Sequence, residues 1–233
     1  MFNHDFNTIL GREPCINKMK NALSEFESNK HDNIHKRGIY IYGNPGSGKT
    51  MFVESVLENL GYDVVRYDAG DIRNKNIIEN ITVHNTSDKN VLSMFYTKAK
   101  TKSIAIVMDE IDGMNNGDKG GINALIKLIR PKKTKKQKLE EISFNPIICI
   151  GNYHVDKKIK ELMKICHVFE LQNPNDKQII DMINKLMPTL NNKNIDSILN
   201  YIKGDLKKLS WILEMYNNKL LDELMINSLN NKI

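Results

Sequence analysis

With 233 residues, 40% apolar and 27% charged, the chain can bury one substantial core with room for a small second domain. No apolar run approaches the roughly 18–20 residues of a membrane span, and the start, MFNHDFNTIL, has neither the basic opening nor the apolar centre of a signal peptide, so an intracellular protein with no membrane partner is expected. The net charge of +6 permits an acidic polymer as partner, whereas Cys15, Cys149 and Cys166 lack zinc-site spacing and read as free, mostly buried thiols.

In chain order, the pattern first predicts a helix over about 14–28 and a short apolar strand at 39–42. That strand runs into Gly43-Asn44-Pro45-Gly46-Ser47-Gly48-Lys49-Thr50, which fits G-x-x-x-x-G-K-[ST] at every fixed position. Gly46 and Gly48 let the backbone turn its N–H groups inward on phosphates. Lys49 can then reach the β- and γ-phosphates of a nucleotide such as ATP, and the Thr50 hydroxyl can ligate Mg²⁺ at the start of a helix over 49–60.

A strand at 62–68 and helical stretches at 73–83 and 88–100 follow. The next strand, 103–110, is apolar until it ends in Asp109 and Glu110. Placed about 60 residues after a P-loop, Asp109 is the expected Mg²⁺ acid and Glu110 the carboxylate that polarises an attacking water, which predicts hydrolysis rather than passive binding. A helix at 120–130 leads into RPKKTKKQKLEE, whose lysines at 132, 133, 135, 136 and 138 read as a solvated insertion, with a DNA-backbone contact or a nuclear-import signal as alternatives. The strand 146–152 ends in Asn152, whose amide is expected beside the γ-phosphate or lytic water, and a fifth strand is expected at 167–171.

After Pro174 no strand pattern reappears. Amphipathic helices are expected at 175–187, 194–202, 205–217 and 218–229, with a domain boundary near residue 172. The fold class that follows is α/β: a parallel P-loop sheet flanked by helices, then a small all-α lid.

These residues in this order resemble the AAA+ ATPases, and within them the clamp loaders. DEIDGMNNGDKGGINALIKLI (109–129) and PIICIGN (146–152) look like the large subunit of replication factor C, and Asp68-Ala69-Gly70-Asp71-Ile72-Arg73 resembles that family's Asn-Ala-Ser-Asp-x-Arg motif. The likeness runs from about residue 5 to 217. It implies a nucleotide-binding domain over 1–171, a lid over 172–217, and a C-terminal helix over 218–233 as the remnant of a collar connection.

The resemblance further implies that Ile9, Leu10 and Gly11 contact the adenine, that Asn152 is the sensor-1 residue, and that Lys207 stands where sensor 2 is usually an arginine. Lysine there keeps the charge without the bidentate fork. Arg73, Lys119, Gly121 and Asn123 fall in regions that track the template backbone. Small clamp-loader subunits carry Ser-Arg-Cys where this chain has Lys164-Ile165-Cys166, so no arginine finger is expected here and the chain's own ATP needs one from a neighbour. Small clamp-loader subunits, a sliding clamp and primed DNA are the implied partners, at the site of DNA replication, the nucleus in a eukaryote. The family's large subunits continue into a collar domain. The sequence reaches Ile233, soon after the lid helices, and set against the family this leads to the expectation that either the ring is held otherwise or the protein is a reduced version. Rival expectations are a large subunit of an alternative, cohesion or checkpoint clamp loader, another AAA+ activity such as a helicase loader, and an ATP-binding scaffold that does not hydrolyse.

Overall fold

A computed structural model describes residues 4–32, 34–68, 103–116, 121–140, 142–153 and 157–221. The expected helices at 73–83 and 88–100, and the candidates Arg73 and Lys119, lie outside those residues.

Helix α1 (His4–Ile9) and helix α2 (Glu13–Ser28) precede the sheet. Pro14 sits in the first turn of α2, where its missing N–H costs nothing, and Ile16, Met19, Leu23 and Phe26 recur at helical spacing on the buried face. Strand β1 (Gly38–Tyr42) feeds the P-loop and helix α3 (Lys49–Asn59); β2 (Tyr62–Tyr67) and β3 (Ser103–Met108) follow. A 3₁₀ segment over Ile111–Asn116, helix α4 (Gly121–Ile129), β4 (Ile147–Gly151), helix α5 (Lys157–Ile165) and β5 (Cys166–Glu170) complete this part. The sequence pattern does not predict α1 or α5; α5 is only nine residues and polar at five of them.

The five strands are all parallel in the order β2-β3-β4-β1-β5. Their two-residue period sorts the core into two layers. Ile39, Ile41, Val107, Ile148 and Ile150 face α2 and α3, whereas Tyr40, Ile106, Met108 and Cys149 face α4 and α5. Burial on both faces is why these strands read as continuous apolar runs. It also puts the carboxyl ends of β1, β3 and β4 side by side, since β4 lies between the other two.

Helices α6 (Asp176–Leu186), α7 (Asn192–Ile202) and α8 (Leu206–Asn217) follow the sheet. Asn175 caps α6 through a reciprocal capping box with Gln178, and Asn191 and Asp205 cap the other two. Their apolar faces meet in a third cluster, which α1 joins through Phe6 and the turn after it through Leu10. Helix α8 ends at Asn217: Lys219 takes a left-handed φ of 57° and donates its N–H to Tyr216. The expected fourth helix therefore does not start at 218, and residues from 222 lie outside those described.

The basic insertion corrects one reading. Lys132 is fully buried, its Nζ donating to the Lys127 carbonyl and to Glu140 Oε2 at 3.0 Å, while Arg130 pairs with the same carboxylate. An ammonium left without partners there would be costly, and Glu140 supplies the partner. Lys133, Lys135, Lys136 and Lys138 remain exposed.

Among the described residues no helix is long and apolar enough to cross a membrane. Cys149 and Cys166 are buried free thiols and Cys15 is a half-buried one.

Candidate nucleotide site

The P-loop turns through two left-handed glycines, Gly46 at φ 77° and Gly48 at φ 78°, a region that side-chain-bearing residues rarely adopt. The turn delivers Lys49 to the first position of α3, where it is nearly buried. Its Nζ donates to the carbonyls of Gly43 at 3.0 Å and Asn44 at 2.9 Å and to Asn152 Oδ1 at 3.1 Å. Burial holds this ammonium below the ordinary lysine value, against the opposite pull of Asp112, Asp109 and Glu110. None of its three recorded acceptors is a carboxylate, so the cation keeps charge to offer a ligand.

Asn152 stands one residue past β4 and is held by Asp112, from the 3₁₀ segment. The Asn152 backbone N–H donates to Asp112 Oδ1 at 3.2 Å and its Nδ2 to Asp112 Oδ2 at 2.7 Å. A carboxylate only accepts and an ammonium only donates, so the amide can satisfy both neighbours in one orientation only.

Thr50 Oγ1 donates to Asp109 Oδ2 at 2.8 Å. Asp109 follows β3, with its N–H on the Tyr67 carbonyl, and is buried. Its Oδ1 accepts the N–H of Glu110, and Glu110 itself is exposed with a φ of 51°, strained for a residue with a side chain. β3 stops at Met108, so Asp109 and Glu110 lie in the turn beyond the strand.

The lid reaches the same loop. Leu206 N–H donates to the Gly46 carbonyl at 2.8 Å, and a Cβ on Gly46 would lie 2.2 Å from Asp205 Oδ1. Lys207, in the first turn of α8, is exposed and donates its backbone N–H to Asp205. Leu10 lines a shallow cleft with Phe6, Arg12, Gly48, Met51 and Phe52. Ile9 packs instead on the lid core, and Gly11 turns at φ 62° against Gln178 of α6. Gly121 is buried and Asn123 exposed at the start of α4.

A family model described as "ATPase family associated with various cellular activities (AAA)" matches residues 39–173, from β1 past β5. The chain belongs to the AAA family. It is also similar across most of its length to large subunits of replication factor C. Identity is 26% over 226 residues with "Replication factor C subunit 1" of Schizosaccharomyces pombe, covering 89% of this chain and 23% of that protein. It is 35% over 195 residues with the Homo sapiens protein of that name, covering 74% and 16%. With "Replication factor C large subunit" of Nanoarchaeum equitans it is 28% over 219 residues, covering 91% and 46%. The chain thus spans less than half the length of each of these relatives.

The AAA site fits the nucleotide and Mg²⁺ that the family implies. The Ser47 hydroxyl is buried in the P-loop with no hydrogen-bond partner among the described residues, and the hydrogen bonds of the Lys49 ammonium go to neutral oxygens while three carboxylates act on it from further off. Thr50 Oγ1 and Asp109 Oδ2, 2.8 Å apart, are hard oxygen donors of the kind that would hold Mg²⁺.

Four residues of this AAA site escaped the sequence reading. Asp112 orients Asn152; its only signal was a third acid three residues after Asp109. Arg12 is buried, donates to the Ser47 carbonyl and stacks 5.8 Å over Phe52, and burial pulls its guanidinium down to about 10. Asp205 caps α8 against the P-loop. Arg66, on β2, places Nη2 3.0 Å from Asp109 Oδ2.

Proposed function

We propose that this chain binds ATP with Mg²⁺ on the P-loop and hydrolyses it as a large-subunit-like component of a clamp loader acting in DNA replication. The observation that carries the ATPase reading is the continuous set of contacts from Asp112 through Asn152 to Lys49, beside the Thr50–Asp109 pair. The similarity to replication factor C large subunits supports the clamp-loader assignment.

In this reading the P-loop N–H groups and Lys49 hold the phosphates, and Thr50 and Asp109 hold the metal. Bound Mg²⁺ neutralises charge that builds on the phosphate oxygens. Glu110, exposed at the mouth of the site, orients the attacking water and accepts its proton. Asn152 keeps its carbonyl on Lys49 and a second Nδ2 hydrogen for a phosphate oxygen or that water. Docking of α8 on Gly46 couples the lid, and with it Lys207, to what the P-loop holds.

The partner surface follows from α5 and β5. Lys164 is exposed in the last turn of α5, Ile165 packs on the sheet core, and Cys166 opens β5 buried beside β1. An isoleucine tied to the core cannot reach into a neighbour's site. The chain therefore receives an arginine finger and gives none, which suits one end of an open ring of small clamp-loader subunits on a sliding clamp and primed DNA. Gly121, Asn123, Arg73 and Lys119 are the residues we assign to the DNA backbone, and work at the replication site, the nucleus in a eukaryote, follows from that role. Co-expression with the source's small subunits and a non-hydrolysable ATP analogue is expected to give a pentamer-sized species by native mass; a persistent monomer would refute the ring assignment.

A further inference from the structure

Asp109 Oδ2 is engaged from two directions. The Thr50 hydroxyl donates to it at 2.8 Å, and Arg66 Nη2 stands 3.0 Å away. The Asp109 side chain is 6% exposed, and a negative charge buried to that degree needs a countercharge close by. Arg66 supplies it from the far end of β2, where Arg66 pairs in register with Val107 of the neighbouring strand. The same guanidinium faces two other carboxylates, Asp68 at 3.1 Å and Glu54 of α3 at 3.6 Å. Arg66 is 44% exposed and both of those partners are more open to water than Asp109.

We propose that Arg66 is a built-in stand-in for the divalent cation, neutralising Asp109 until Mg²⁺ enters the site, alone or with the nucleotide, and displaces it onto Asp68 and Glu54. The inference rests on the reading of this site as one for ATP and Mg²⁺. A guanidinium and a divalent cation cannot share one carboxylate oxygen without placing like charges side by side in a partly buried site, so the two compete. The exchange is easy because Arg66 keeps two anionic partners when it lets go. Arg66 thereby protects the empty site from an uncompensated buried charge, and raises the Mg²⁺ concentration that nucleotide binding requires. No part of the P-loop sequence announces this, since Arg66 lies 17 positions after Lys49 on a different strand.

The test titrates Mg²⁺ into the full chain at fixed fluorescent ATP analogue, for the wild type, Arg66→Gln and Arg66→Lys, alongside thermal melting with EDTA and with Mg²⁺. In Arg66→Gln the half-saturating Mg²⁺ is expected to fall about three- to tenfold, the range of a partly exposed charge-assisted pair. Nucleotide affinity in EDTA should stay within about twofold, and Arg66→Lys should keep most of the wild-type Mg²⁺ requirement because it keeps the charge. Arg66→Gln should also melt lower than the wild type in EDTA, by a gap that Mg²⁺ narrows with or without nucleotide. An unchanged or higher Mg²⁺ midpoint in a folded Arg66→Gln chain would overturn the proposal. So would a collapse of its affinity in EDTA, which would make Arg66 a phosphate ligand. If the wild type bound no nucleotide, the ATP reading would fail by itself, and a melting gap insensitive to Mg²⁺ would still overturn the role of Arg66.

Discussion

Asp112 grips Asn152 twice, through the backbone N–H at 3.2 Å and the side-chain amide at 2.7 Å, and so turns the Asn152 carbonyl onto the Lys49 ammonium. Asp112 is thus a positioning residue for the strand-end amide. Asp112→Ala is expected to leave nucleotide affinity near the wild-type value and to lower single-turnover ATP hydrolysis in the assembled complex by about tenfold or more. That is the loss expected for hydrogen bonds to a charged group at about 1.5–3 kcal/mol. Equal losses in binding and turnover would mean that Asp112 acts on the fold instead.

Lys49 and Glu110 should separate binding from chemistry. Lys49→Ala is expected to abolish binding of a fluorescent ADP analogue, because the ammonium is the cation that three neutral oxygens hold toward the phosphate position. Glu110→Gln should bind the analogue normally and fail to turn ATP over, since the amide cannot accept the water's proton. Undiminished hydrolysis in Glu110→Gln would remove Glu110 from that role.

The depressed Lys49 ammonium gives nucleotide binding a pH dependence of known sign. Burial holds it below 10.5 in the empty site, and a bound phosphate restores the charged form and raises it. Affinity is therefore full below the empty-site value and is lost as pH rises through it. Binding measured from neutral pH to about pH 10 should decline before the ordinary lysine range is reached. Lys49→Arg, which stays charged, should show a flat profile over the same interval.

Gly46→Ala probes the joint between P-loop and lid. Position 46 sits at φ 77°, and its new Cβ would lie 2.2 Å from Asp205 Oδ1, at the cap of α8. Backbone strain and the displaced cap together are expected to cost about 1–3 kcal/mol by thermal melting and to weaken nucleotide binding. A chain as stable as the wild type would show that the cap does not press on the loop.

The P-loop, the Asp109-Glu110 pair and the alternation of apolar strands with helices were legible because each rests on local chemistry: glycine spacing, an acid after an apolar run, or short apolar runs between helical stretches. Contacts made by folding were not. Arg66 and Asp112 meet Asp109 and Asn152 only because β3 pairs with β2 and β4. A 16-residue α2 was plain from its periodicity, whereas the six-residue α1 is too short to show one and its Phe6 packs on helices some 170 residues away. Lys132 looked like its neighbours in a basic run, and only the fold brings Glu140 over it.

The most direct test of the account is ATP turnover by the purified chain alone and by the chain assembled with small clamp-loader subunits, clamp and primed DNA. The account predicts very little turnover alone and a rise of about 10³-fold or more in the assembly, the scale of an arginine supplied in trans, abolished by Glu110→Gln in this chain. Rapid hydrolysis by the chain alone, unchanged by partners and DNA, would contradict it.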